Sequence, residues 1–189
     1  MKPTRSYART EDDGLDRPSV TASSDGGIEI RSDPQTGALL QALNLKSSNV
    51  YILPRNFAVA KSPDDFVFEQ TTITIQKLGR QAGVVVAVPG AATYRSIHEK
   101  DAELIAPVLV FTHQFLIEGG ATLLAKLLEY IAAYVKSSWG ARHASAREAV
   151  FEAVVTDGKK AKRITYRGPI EGLHSMVTIA ETVFKDDEK

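Results

Sequence analysis

Apolar positions change period along the chain, and each change predicts an element. Leu39, Leu40, Leu43 and Leu45 recur at helical spacing within 36–45, which predicts a short helix. Asn-Val-Tyr-Ile-Leu at 49–53 has strand composition and stops at Pro54, which has no amide for a ladder. Phe57-Ala58-Val59-Ala60 predicts another short strand. Ser62-Pro63-Asp64-Asp65 reads as a helix start: a hydroxyl for an orphan amide, proline at the first helical position, and carboxylates at the positive helix end. It predicts a helix over 66–81 in spite of the strand-like 71–75, with Phe68, Thr71, Ile75 and Leu78 on one stripe.

Residues 84–88, Val-Val-Val-Ala-Val, are apolar on both parities, as in a central strand covered on both faces. Together with the strand near 50 and the helix near 70 they predict a parallel, right-handed crossover unit. The uncharged run 104–117 is read as part of long core helices over 101–137. Within these, Leu124, Leu127, Leu128, Ile131 and Val135 form one apolar stripe. Runs at 149–156 and 161–167 flank Asp157-Gly158-Lys159-Lys160 and predict a hairpin. With Asp157 and Gly158 as the loop, Phe151 faces Ile164, Ala149 faces Tyr166 and Glu152 faces Arg163. Pro169 then opens a last helix with Leu173, Val177, Ala180 and Phe184 on one face.

These elements define an α+β fold: a mixed sheet of four or five strands with a C-terminal β-hairpin, packed by three to five helices. Residues 1–33 are polar and aperiodic and read as a disordered N-terminal tail, in which only Ile28-Glu29-Ile30 can add a short strand. A single domain over 34–185 follows, large enough to bury a core without metal or disulfide. The tail lacks the apolar stretch of a secretory signal, and its acids set it apart from a transit peptide, so a cytoplasmic location is expected.

Composition narrows the chemistry. Among 189 residues, 23 basic and 23 acidic side chains balance, which argues against a dedicated nucleic-acid coat. With no cysteine, disulfide scaffolds, thiolate metal sites and cysteine nucleophiles are excluded. Ser96 and Ser175 stand beside His98 and His174 without the Gly-x-Ser-x-Gly context of a nucleophile elbow. His98-Glu99 lacks the second histidine of a zincin motif, Ala102 standing in its place, and no metal or cofactor is expected. Ligands in open α/β sheets bind beyond strand carboxyl ends, which makes Gly90, Thr93, Arg95 and His98 the candidate ligand site and 89–101 the candidate loop for a ligand-binding or hydrolytic domain.

Two further surfaces compete. Lys159, Lys160, Lys162 and Arg167 form a basic cluster at the hairpin that can meet nucleic-acid phosphates, but a solvated, edge-guarding hairpin is the favoured reading of it. The apolar stretch 104–135 approaches the length of a bilayer span, yet Pro107, His113, Gln114 and Glu118 disfavour membrane association. More apolar surface than one modest sheet covers points instead to another chain. The expected function is therefore a non-catalytic protein-interaction module, self-associating or a subunit of a multi-protein bacterial system, with Leu109, Phe111, Phe115, Tyr130, Tyr134 and Trp139 as contacts. The strand, turn and helix start Ile164-Thr165-Tyr166-Arg167-Gly168-Pro169-Ile170-Glu171-Gly172-Leu173 resembles that of uncharacterised bacterial α+β proteins, a resemblance that implies no activity.

Overall fold

The computed structural model describes residues 20–23, 26–90, 95–97, 106–139 and 149–184. It is an α+β fold in which strands β1 (Val20–Ser23), β2 (Gly26–Ser32), β3 (Val50–Ile52), β5 (Val86–Ala87), β7 (Leu109–Thr112), β8 (Ala149–Asp157) and β9 (Lys160–Gly168) build one open mixed sheet. The spatial order is β1-β2-β9-β8-β7-β3-β5, and β4 (Val67–Glu69) pairs separately with β6 (Arg95–Ile97). The helices are α1 (Pro34–Ala42), α2 (Thr72–Ala82), α3 (Ala121–Trp139) and α4 (Ser175–Thr182).

The long hairpin organises the sheet. Its turn is Gly158-Lys159, with Asp157 opposite Lys160 and Gly158 at φ +57°, the left-handed region that primed hairpin turns require at their first central residue. Phe151 consequently faces Tyr166 and Glu152 faces Thr165, two residues away from the expected register. A shift of two preserves the faces, so the apolar residues stay inward and Glu152 still reaches Arg163 diagonally, at 2.7 Å.

β2 pairs with β9 from Gly27 to Ser32, and Ile28 is buried. The ordered sheet thus begins before residue 34, because Ile28 and Ile30 alternate with Glu29 and Arg31 and fit the free edge of the hairpin. Residues 1–19 of the expected tail lie outside the described residues.

Four other expectations are corrected. The Ser62-Pro63 signal starts only a 3-10 turn, Pro63–Asp65; the Ser62 hydroxyl donates to Asp65 instead of accepting an amide, and Phe66 is extended. Tertiary burial decides this: Phe66 and Phe68 are both buried, with Phe66 packed against Phe57 and Phe68, so the chain runs as strand β4 before α2 starts at Thr72. The 57–60 segment is a turn, Val59 and Ala60 donating their amides to the Asn56 carbonyl.

The run at 84–88 contributes only β5, at the sheet's edge rather than its centre, and Val85 is exposed. It does pair in parallel with β3 across α2, as the crossover reading requires. An interior strand comes instead from the run expected to be helical: β7 lies between β3 and β8 with Leu109, Val110 and Phe111 all buried. Its Leu-Val-Phe-Thr composition suits a strand covered on both sides.

A helical layer covers one face of the sheet. The α3 stripe Leu124, Leu127, Leu128, Ile131 and Val135 is buried throughout, worth about 7–15 kcal/mol gross at roughly 1.5–3 per side chain. Helix α3 packs against α2, α4 and the 3-10 turn Ile170–His174, and α4 lies on β9. Leu173, Val177, Ala180 and Phe184 are buried, as their shared face predicts.

The opposite face carries α1. A Cβ at Gly37 would lie 3.0 Å from the Ala161 Cβ, so the helix rests directly on β9. Strand alternation fixes the sides: Ala161 meets α1, whereas Lys162 donates to the Val183 carbonyl at 2.7 Å beyond α4.

Candidate functional site

Among the described residues, nine-residue α1 covers only part of its sheet face. Strand register places Glu29 and Arg31 of β2, Arg163, Thr165 and Arg167 of β9, and Val150 and Glu152 of β8 on the same side as α1. Acidic and basic side chains alternate there, and Val150 is exposed among them.

The ladder contains a like-charge conflict that its carboxylates resolve. Arg31 sits directly opposite Arg163, a repulsive arrangement unless each guanidinium is neutralised. Glu29 accepts from Arg31 Nε at 2.6 Å. Arg163 Nε donates to Asp33 Oδ2 at 3.0 Å, and Arg163 Nη1 donates to Glu152 Oε2 at 2.7 Å.

Asp33 does two things at once. It caps α1, its Oδ1 accepting the Thr36 amide at 3.1 Å with Pro34 at the first helical position, and it anchors Arg163 across 130 positions of sequence. Burial pushes its carboxyl up, but the hydrogen bonds from Thr36 and Arg163 together outweigh that and hold it below its ordinary value.

A cleft of about 290 Å³ opens beside this group. Leu53, Pro54, Phe57, Pro107 and Val108 supply apolar wall, while Thr36, Arg55, Glu69, Glu152 and Arg163 supply polar groups. Arg55 Nε and Glu69 approach to 3.8 Å, and the Arg55 amide donates to the Val67 carbonyl, which fixes the loop after β3 onto β4. An apolar lining with a few convergent polar groups is the usual chemistry of a recognition pocket. At the other end of α1, Gln41, Asn44, Asn49, Thr156 and Asp157 line a second, polar cleft of about 240 Å³.

Of the four expected ligand-site residues, Gly90 and Arg95 are described. Gly90 is exposed at φ +81° beside Pro63 and Phe66; Arg95 lies in β6 opposite Val67; Thr93 and His98 lie outside the described residues. Leu109, Phe111 and Phe115 are 1%, 3% and 6% exposed, inside the core of the chain itself. The apolar surface of this segment is covered inside the chain, because β7 is a strand inserted between β8 and β3. Tyr130 and Tyr134 are half-buried on α3, and the Trp139 side chain lies outside the described residues.

The basic cluster is likewise divided. Lys162 turns to the helical layer, where its ammonium also lies 5.1 Å from the Phe184 ring centroid, while Arg167 is exposed on the α1 face and Lys159 and Lys160 stand at the exposed turn. Lys162 and Arg167 therefore lie on opposite faces of the sheet. Among the described residues no helix is long and apolar enough to cross a membrane, and no group of histidine, aspartate and glutamate is placed to hold a metal ion.

Sequence reasoning missed Asp33, Arg55, Phe57 and Glu69. Asp33-Pro34 carried a legible signal, the same cap-then-proline pattern used at Ser62-Pro63. No protein-family model, curated protein or solved structure matches the chain.

Proposed function

We propose that this chain is a non-catalytic protein-interaction module of the cytoplasm that self-associates through the face carrying α1. The observation that supports this reading is the alternation of Glu29, Arg31, Glu152, Arg163 and Arg167 on that partly uncovered face, beside a cleft with an apolar lining. A surface bearing both signs is self-complementary about a two-fold axis placed so that acid meets base, the property isologous dimers need. The apolar middle of the chain no longer supports the reading, since Leu109, Phe111 and Phe115 are enclosed.

Light scattering on the purified chain at rising concentration tests it. The expected mass is twice 20.5 kDa, with the dimer weakening as salt is raised because charged contacts are screened. A mass of one chain throughout the accessible range would remove the proposal.

A further inference from the structure

We infer that the polar cleft at the carboxyl end of α1 binds a small neutral compound dense in hydroxyl groups, of monosaccharide size. The site is independent of self-association. β7 and β8 run parallel and end side by side, Thr112 opposite Thr156, and the last turn of α1 lines the same cleft. Open sheets hold ligands in crevices beyond the carboxyl ends of such strands. Segments 98–105 and 140–148, outside the described residues, precede β7 and β8 and so join the sheet at the opposite, amino ends of those strands. The volume, about 240 Å³, is that of about eight waters at roughly 30 Å³ each. The Tyr51 hydroxyl accepts the Lys46 amide at 2.8 Å and the Thr112 hydroxyl donates to the Ser47 carbonyl at 3.0 Å, which fixes the loop between α1 and β3 against the sheet and leaves the cleft preformed.

The lining selects the ligand's chemistry. Gln41, Asn44 and Asn49 supply carboxamides, Thr156 a hydroxyl, and Asp157 the one charge among the described lining residues. The side chains of Gln41, Asn44, Thr156 and Asp157 make no hydrogen bond to another described residue, so they are available to a ligand. A carboxamide both donates and accepts, as a hydroxyl does, and a carboxylate accepts from either. A polyol therefore satisfies the whole set. A phosphate or carboxylate ligand only accepts; it would leave the carboxamide oxygens unpaired and would be repelled by Asp157 and by the negative carboxyl end of α1. An ammonium ligand only donates and would leave the carboxamide N–H groups unused. Leu40, Leu45 and Tyr51 add apolar surface on which the C–H groups of a sugar ring can pack while its hydroxyls meet the polar groups.

Amide-detected nuclear magnetic resonance of the full chain, titrated with D-ribose, D-glucose and D-galactose to tens of millimolar, tests the site. At least one of the three should shift the amides of 41, 44, 49 and 156–158 along saturable curves, with a dissociation constant in the millimolar range. Gln41→Ala removes an exposed side chain from a helix, and Asn44→Gly removes a carboxamide where φ is +48°, a conformation glycine adopts freely, so both variants keep the fold. Each should raise the dissociation constant about two- to tenfold, the loss of one neutral hydrogen bond. Ribose phosphate and glucose phosphate should bind less tightly than the parent sugars. No saturable shift at these amides with any of the three sugars, tighter binding of the phosphates, or undiminished binding by both variants would overturn the inference.

Discussion

Arg163→Met isolates the charge group that ties α1 to the sheet. The substitution keeps most of the aliphatic stem and removes two charge-assisted hydrogen bonds, to Asp33 and Glu152. The two carboxylates respond differently because their surroundings differ. The Glu152 side chain is 34% exposed and can turn to water, so its loss resembles that of a surface pair, about 0.5–1 kcal/mol. The Asp33 side chain is 17% exposed and pinned by the Thr36 amide, so its charge is left partly buried without its cation, at a cost of about 1–2 kcal/mol. The sum is about 1.5–3 kcal/mol, a melting temperature lower by roughly 3–12 °C for a chain of this size. Asp33→Asn in the Arg163→Met background keeps a side chain that can cap α1 while removing the stranded charge, and should recover about 1 kcal/mol. Urea unfolding of the two single variants and the double variant forms the cycle. The reasoning fails if Arg163→Met costs under about 0.5 kcal/mol, or if the double variant is less stable than Arg163→Met alone.

The same carboxylate makes stability depend on acid. Asp33 has a folded pKa below its ordinary 3.8, so its contribution is fully present above that value and is lost as pH falls through 3.8 toward the folded value. Asp33→Asn should flatten the acid limb of a stability-against-pH curve measured by urea midpoint; parallel limbs for the two proteins would contradict this. At the entrance to α3, a Cβ on Gly120 would meet the Phe115 carbonyl oxygen and come within 2.6 Å of its buried ring, so Gly120→Ala should cost about 1–3 kcal/mol by overpacking. Neighbouring Gly119, at φ +98° with open space around it, should lose about 1–2 kcal/mol on substitution by alanine through backbone strain alone, with core packing unchanged by near-ultraviolet circular dichroism.

Elements whose stability is local were legible in the sequence. The α3 stripe recurs at helical spacing and is buried as that spacing implies, and the hairpin follows from two alternating runs around a glycine turn. Its register lies two residues from the expected one because the loop is Gly158-Lys159 rather than Asp157-Gly158, and Glu152 meets Arg163 diagonally across the strands. Apolar runs without alternation were the least readable. The runs at 84–88 and 109–111 are both apolar on successive positions, and only the neighbours available in the fold made one an edge strand and the other an interior strand. The cleft was not legible at all. Its walls come from α1, the loop after β3, β4, the segment before β7, β8 and β9, and no periodicity links residues so far apart in sequence.

Hydrogen exchange of the natural chain, compared between dilute and concentrated solution, tests the interaction account most directly. The account predicts that amides around 53–59, 106–108 and 152 exchange more slowly in concentrated solution, while those of the enclosed α3 stripe are unchanged. Exchange that is independent of concentration everywhere, or slowed only on the helical layer, would contradict it.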